Sequence, residues 1–418
     1  MKSKTFYIIA VFGVLCTSCT TEDFVSKTES RSSLQKQIES IRAYETFYEH
    51  CTPVRSGETV FPPFYGGAYL NDAGSLIINL TDDSEVNRSA IISLLETDNV
   101  IFKKCDFSHD ELSSIRAIID EYLIKYSGTD ALKNISSSYL DECNNRVVVQ
   151  LLSCTDTDVQ TFEGNVCKSA AITFEQVKPN IEQTNKIALS TRNKSRVIGD
   201  NSSTSLSAGG EIWNDADTML LASVGYRATD TNGYSGFVSS GHIFKQLGGR
   251  ANIRSTFSIN TVGTCTQRQT NENIDAAFCR LLSGVAISNT LTYNSTTYTY
   301  TTTTPVSILT GTRVFMYGAK TLDATGAESA GQILSTNCSF VFGGTQTYTG
   351  MVMASYPARI EGDEGGLVVA RVGLTRNMQI YGIHIGAPMS GISSNGIVLT
   401  SYFVPASIIN NTFGLTIY

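Results

Sequence analysis

Hydrophobic and polar positions follow two rhythms along this chain. In the first half, helical and strand spacing alternate. Leu34, Ile38, Ile41 and Tyr48 fall on one face of a helix. Ala68-Tyr-Leu70 and Ser75–Leu80 flank Asn-Asp-Ala-Gly, which predicts a hairpin. Ser108 with Glu111 three positions later forms a capping-box pattern before Leu112, Ile115, Ile119, Tyr122 and Tyr126, so a helix is expected there. Tyr139-Leu140 and Arg146–Leu152 flank Asp141–Asn145 and repeat the hairpin theme. Hairpin and helix thus recur in two loose copies, and residues 19–189 are expected to form a small α+β module.

From residue 208 the spacing is almost entirely that of strands. Met219–Arg227, Gly236–Ser239, Ala276–Leu281, Val306–Leu309, Arg313–Tyr317, Gly331–Leu334, Leu367–Val372, Gln379–Ile385 and Gly396–Phe403 are apolar runs separated by turn residues at short intervals. This predicts an all-β sandwich or barrel rather than alternating β and α units. About 210 residues suit one domain of two packed barrels. Ser288–Thr304, rich in Thr and Tyr, reads as an exposed hairpin or a connector between barrels. Between the halves, residues 190–207 have a linker composition with Arg192, Lys194 and Arg196, either a processing site or a plain tether.

The N-terminal residues change the picture of where the protein resides. Lys2 and Lys4 precede the apolar run Phe6–Leu15, which is too short to span a bilayer as a helix. Cys16-Thr-Ser-Cys19 follows and resembles a bacterial lipobox, which implies a signal peptide over residues 1–18, cleavage before Cys19 and lipidation of its thiol. Cys16, preceded by Leu15, fits less well, and plain secretion is the alternative. Glu22 and Asp23 soon after Cys19 are similar to exported lipoproteins of Gram-negative bacteria, so a lipid-anchored place in the cell envelope, at the outer membrane, is expected. The net charge of −7 argues against a nucleic-acid partner. Processing would leave eight of the ten cysteines, five in the first half and three in the second. Two odd counts mean a bridge between halves or leftover thiols. No Cys-x-x-Cys follows Cys19, so a Cys-type zinc site is not expected.

The stretch with most chemistry is Glu361-Gly-Asp-Glu-Gly-Gly-Leu-Val-Val-Ala370. Glycines at 362, 365 and 366 allow φ values other residues resist. Such a turn can aim consecutive N–H groups at one point and form an anion hole, although on its own it also reads as an ordinary Gly-rich turn. Acyl transfer further needs a hydroxyl or thiol nucleophile beside a base, and Glu364 offers neither.

Several segments together carry a resemblance. Ala208-Gly-Gly-Glu-Ile-Trp213, Ser223-Val-Gly-Tyr, Gly236-Phe-Val-Ser-Ser-Gly-His242, Asn273-Ile-Asp275-Ala-Ala-Phe, Gly362-Asp-Glu364-Gly-Gly366, Tyr381-Gly-Ile-His-Ile-Gly386 and Ser401-Tyr-Phe-Val-Pro405 resemble, in order, segments of the chymotrypsin-like serine peptidases of the α-lytic protease and streptogrisin type. In the first half, "FYGGAYLNDAGSLIINLTDD" and "NNRVVVQLL" resemble that family's pro-region, which templates folding and is then removed. The resemblance implies a trypsin-like double β-barrel over 208–418. It implies His242 as general base and Asp275 as the residue orienting it. It further implies an oxyanion hole from the N–H groups of Gly362 and Glu364, substrate contacts at Ile385 and Gly386, and a buried Asp363 with Lys320 as its cationic partner.

The departures decide the expected function. Glu364 stands at the serine position, Ile385 replaces a substrate-binding serine, and Ile243 and Ala358 replace disulfide cysteines of the family. Glu364 is expected either to pair with His242 or to fold into the oxyanion hole. The resulting expectation is a catalytically silent peptidase homologue that binds a peptide or protein and keeps its pro-module, with no cofactor. The alternative is an active serine-type endopeptidase made as a zymogen, with Ser355 as the nearest hydroxyl but on the wrong turn. His242, Asp275 and Glu364 are possible metal ligands with His384 as a fourth, but this site is disfavoured because His384 neighbours Ile385 on a strand and successive side chains point to opposite faces.

Overall fold

A computed structural model describes residues 31–52, 59–177, 205–214, 221–254, 259–293, 296–320, 329–342, 346–359, 362–373, 375–386, 397–398 and 400–418. The expected signal peptide, Cys19 and residues 190–204 of the expected linker lie outside the described residues. Among the described residues no helix is long and apolar enough to cross a membrane.

The first module uses one α-β-β-α-β unit twice. The first copy runs through helix Arg31–Cys51, strands Tyr65–Leu70 and Leu76–Leu80, helix Glu85–Leu95 and strand Val100–Lys104. The second runs through helix His109–Lys125, strands Ile135–Asp141 and Arg146–Leu151, helix Asp156–Asn165 and strand Ile172–Gln176. In each, the hairpin is antiparallel and the last strand lies parallel to the second, reached through the second helix. The first hairpin turns because Asn71 Oδ1 accepts from the N–H groups of Ala73 at 3.1 Å and Ser75 at 2.9 Å. At Ser108 only half of the expected capping box forms, the side chain accepting from Glu111 N–H at 3.2 Å. The reciprocal box lies instead at Thr155 and Asp158. His109 packs edge-on to Phe61 with ring centroids 4.8 Å apart. The later helix and strand of the first copy gave little sequence signal because they bury little. Helix Glu85–Leu95 buries Ile91 and Leu95, and strand Val100–Lys104 buries none of its residues.

The module is joined to the β domain through backbone and core. Strand Ile135–Asp141 pairs antiparallel with Ser329–Phe342 of the β domain, in the register Tyr139 to Cys338 and Ser137 to Phe340. Beneath that seam lies the fully buried Arg116, bonded to Ser138, to Asp120 at 2.7 Å and to Ser339 at 2.8 Å. Val306–Leu309, expected to be a strand, is irregular. Its apolar character serves another purpose: Leu309 enters the core of the first module, and Leu70 N–H donates to the Thr310 carbonyl at 2.8 Å.

The β domain holds two rings of strands. The first takes Ser235–Ser239, Ile274–Leu281, Ile259–Asn271, Arg250–Arg254 and Glu211–Asn214 in that spatial order. Residues 221–229 complete it. Leu221–Ser223 pairs with Glu211–Asn214, Arg227–Thr229 pairs with Ser235–Ser239, and Gly225 N–H donates to the Val238 carbonyl at 2.9 Å between them. Of the expected single run Met219–Arg227, residues 219 and 220 lie outside the described residues, and the stretch from Leu221 on serves two partners. The second ring closes through Arg313–Tyr317, Ser329–Phe342, Gln346–Ala354, Ser401–Pro405, Asn377–Gly386 and Leu367–Arg371. Thr290–Tyr293 and Thr296–Tyr300 form the expected Thr-rich hairpin between the rings, but Leu291 and Tyr300 are buried rather than exposed. The domain is not wholly β: Ala406–Phe413 is a helix, seated by Ala406, Ile409 and Phe413. Tyr226, Val238 and Phe278 of the first ring share one core cluster with Phe315, Leu367 and Ile383 of the second.

Candidate active site

The two rings bring His242, Asp275 and the 362–366 turn to their seam. Asp275 lies near the start of strand Ile274–Leu281 and is buried. Its Oδ1 accepts from the His242 backbone N–H at 2.8 Å, and its Oδ2 meets His242 Nδ1 at 2.6 Å. The carboxylate therefore holds both the backbone and the ring of His242, and it orients the imidazole. Burial works against a charged His242, but the Asp275 carboxylate, with Glu364 behind it, outweighs that and lifts its pKa to about 9. Arg268, whose Nε donates to the Gly241 carbonyl at 2.8 Å, pulls the other way.

The 362–366 turn is shaped by glycine and Asp363. Gly362 and Gly365 have φ of 95° and 81°. A Cβ at Gly365 would come within 2.3 Å of Ser239 Oγ and 2.6 Å of the Ser223 carbonyl, so side chains are excluded there. Asp363 is fully buried and accepts from the backbone N–H groups of Lys320 at 2.8 Å and Arg359 at 2.7 Å. The Lys320 side chain, expected as the cation for Asp363, pairs with Glu211 instead. Lys320 thus serves Asp363 through its backbone, an assignment that side-chain charge could not reveal.

Glu364 turns back on its own loop. Its Oε2 accepts from Gly362 N–H at 2.8 Å. Among the described residues no hydrogen bond or ion pair joins it to His242, so of its two expected placements the structure adopts the one on the Gly362 N–H group. Burial pushes its pKa up to about 8, against the pull of His242 and of the backbone donors. Ser223 ties the turn to the first ring. Its hydroxyl donates to the Gly362 carbonyl at 2.7 Å and accepts from Ala319 N–H at 2.9 Å, while its N–H donates to the Glu364 carbonyl at 2.8 Å. Ser223 opens one of the segments that carry the resemblance, but nothing in the sequence assigns it this tie to the turn, and nothing distinguishes Arg268 from other strand residues.

The remaining candidates fall around this centre. Ile385 is buried, and Gly386 follows it with φ 140° on the strand that flanks the turn. His384 is fully buried, its Nδ1 3.2 Å from the Tyr356 hydroxyl, and burial pushes its pKa down to about 3. Ser355 is tied to Gln332, its Oγ accepting from the N–H at 2.9 Å and donating to the carbonyl at 3.3 Å. Among the described residues no group of three or more His, Cys, Asp and Glu is arranged to hold a metal ion.

Comparison with known proteins places the first module. Residues 28–105 match the family of Pro-like N-terminal domains, and residues 110–177 that of Pro-like C-terminal domains. No curated protein matches the chain by sequence. Among solved structures, Protease A of Thermobifida fusca is 22% identical over 51% of this chain and 98% of its own, with a TM-score of 0.40. The Nocardiopsis protease is 24% identical over 51% and 99%, with a TM-score of 0.39. An α-lytic protease homologue, N4, is 19% identical over 51% and 100%, with a TM-score of 0.40. In this chain the two Pro-like domains therefore stand ahead of a strand-rich domain whose two rings join a histidine and an aspartate at their seam.

Proposed function

We propose that the β domain is a catalytically silent peptidase homologue that binds peptides or proteins at its cleft instead of cutting them. The bond from Gly362 N–H to Glu364 Oε2 at 2.8 Å carries this reading. The N–H groups of Gly362 and Glu364 are the oxyanion hole by resemblance, and a carboxylate held there occupies the place of the charge that acyl transfer develops. Glu364 brings no hydroxyl proton for His242 to remove, and a carboxylate is a poor nucleophile toward an amide. Loss of the serine from such a triad costs roughly 10⁶ in kcat. His242 acts against catalysis too, since an imidazole that keeps its proton up to about 9 is a poor base at neutral pH.

In this reading His242, Asp275 and Glu364 are an inherited catalytic triad put to positional use, and Ile385 and Gly386 line the cleft. The first module stays attached, because its release in the family depends on cleavage by the peptidase itself. Export, a lipid anchor on Cys19 and an outer-membrane place belong to the same proposal. Fractionation of cells carrying Cys19→Ser, which should lose membrane attachment, tests them.

The deciding experiment compares purified residues 20–418 with a Glu364→Ser variant, each incubated with casein and followed by intact mass. The native chain should stay whole and inert while the serine variant cuts itself within 190–207. Self-processing and casein digestion by the native chain would overturn the silent reading in favour of an active zymogen. Titration calorimetry of the native chain with casein-derived peptides tests binding, and absence of heat across that set would remove the binding role.

A further inference from the structure

Cys265 and Cys279 stand opposite one another on neighbouring strands, Ile259–Asn271 and Ile274–Leu281. Both are buried in the core of the first ring, so their side chains share one face of the sheet. The backbone decides the kind of pair. Cys265 N–H donates to the Gly249 carbonyl at 2.9 Å, and the Cys265 carbonyl accepts from Gly248 N–H at 2.8 Å. Both backbone groups of Cys265 thus point away from Cys279, which makes the two a non-hydrogen-bonded cross-strand pair. Such pairs set Cα atoms about 4.5 Å apart with side chains close, and a disulfide needs a Cα separation of roughly 4.4–6.8 Å. The Cys265 thiol, which donates to the Gln267 carbonyl at 3.5 Å, and the Cys279 thiol are both free and lie in the same buried core. Among the described residues the strand registers set no other cysteine directly opposite a cysteine.

We infer that Cys265 and Cys279 form a cross-strand disulfide that staples the hairpin carrying Asp275. The bond closes during folding, before the core covers it. The Cys265 thiolate attacks the disulfide of an exchange partner, a glutathione disulfide or an oxidised dithiol protein, and releases one partner thiolate. The Cys279 thiolate then attacks the Cys265 sulfur, forming the intramolecular S–S bond and releasing the second thiolate. The partner is reduced by two electrons, and the two protons lost by the cysteines go to the released thiolates or to solvent. Before the core closes either thiol can attack first, and the balance of the exchange is the same. Asp275 faces Thr270 across this hairpin, so the staple lies on the same two strands that present the carboxylate to His242.

The test folds the non-lipidated full chain with and without a mixture of oxidised and reduced glutathione, followed by denaturation, alkylation and peptide mass mapping. The oxidant-folded chain should be lighter by two hydrogens and release one cross-linked peptide pair containing Cys265 and Cys279. Its thermal midpoint should exceed that of the reduced chain by several degrees. A Cys265→Ala/Cys279→Ala variant should lose that dependence on oxidant. Full alkylation of both residues after oxidative folding, or linkage of either to another cysteine, overturns the inference. The mass map is read on the native chain, so a variant that fails to fold leaves the decision intact.

Discussion

The two rings bring unequal halves to the seam. The first supplies a histidine and an aspartate joined by two contacts, backbone N–H to carboxylate at 2.8 Å and ring to carboxylate at 2.6 Å. The second supplies a turn whose backbone depends on Gly362, Gly365 and the buried Asp363, while its central side chain is a carboxylate. The shape of that turn and the chemistry it presents are therefore separable. Gly365 cannot change without a clash, and Asp363 cannot change without leaving at least one of its two backbone donors unmet. Glu364 projects from the turn and satisfies itself on Gly362 N–H, so the scaffold persists when its chemistry is exchanged.

The largest effect should come from breaking the first half. Asp275→Ala removes the buried partner of a half-open histidine ring and should cost about 3 kcal/mol in urea unfolding, at the low end for a buried pair because solvent reaches His242. The same change should drop the His242 pKa from about 9 toward or below its ordinary value, read from its ring protons by NMR. A His242 that still titrates near 9 in this variant would show that Asp275 is not what holds its proton. In the second half, Asp363→Asn leaves one of two backbone donors poorly met and should cost about 2 kcal/mol. Equal stability of variant and native chain would contradict the role given to Asp363.

Stability should also fall as pH rises from 7 to 9. His242 is raised from 6.5 to about 9, and Glu364 from 4.5 to about 8. Glu142, buried at the module seam beside Thr336, is raised from 4.5 to about 7. All three bind protons more tightly folded than unfolded, so their contribution is complete below the unfolded values and is lost as pH climbs through the folded ones. His384, held down to about 3, adds only a small opposite slope just above pH 7, where its unfolded imidazole near 6.5 is still partly charged. An unfolding midpoint that stays flat or rises from pH 7 to 9 would reverse the assignment. The smallest effect belongs to Glu364→Gln. Stability should change by no more than about 1 kcal/mol, and the His242 pKa should fall by less than in Asp275→Ala, since Glu364 ranks behind Asp275 among the groups that raise it.

Much of this could be read along the chain. Alternation and turn residues marked both hairpins of the first module and the strands Arg313–Tyr317 and Leu367–Arg371. The order of the segments around His242, Asp275 and Glu364 pointed to one site. Elements with little burial escaped, as strand Val100–Lys104 did, since periodicity registers only what is buried. Val306–Leu309 misled for another reason: Leu309 packs into the first module, Ile308 against the second ring, and Val306 is exposed, so the apolar run serves no single sheet.

The sequence by itself determined which residue stands at each position of the turn, and with it the absence of a hydroxyl or thiol at Glu364. It could not determine where that carboxylate goes, that Lys320 would spend its charge on Glu211, or that Cys265 and Cys279 would meet. Those outcomes depend on which backbone groups and side chains a fold brings within a few ångströms of one another. Segments far apart along the chain meet only when both rings have closed and packed, and tertiary structure alone settles that.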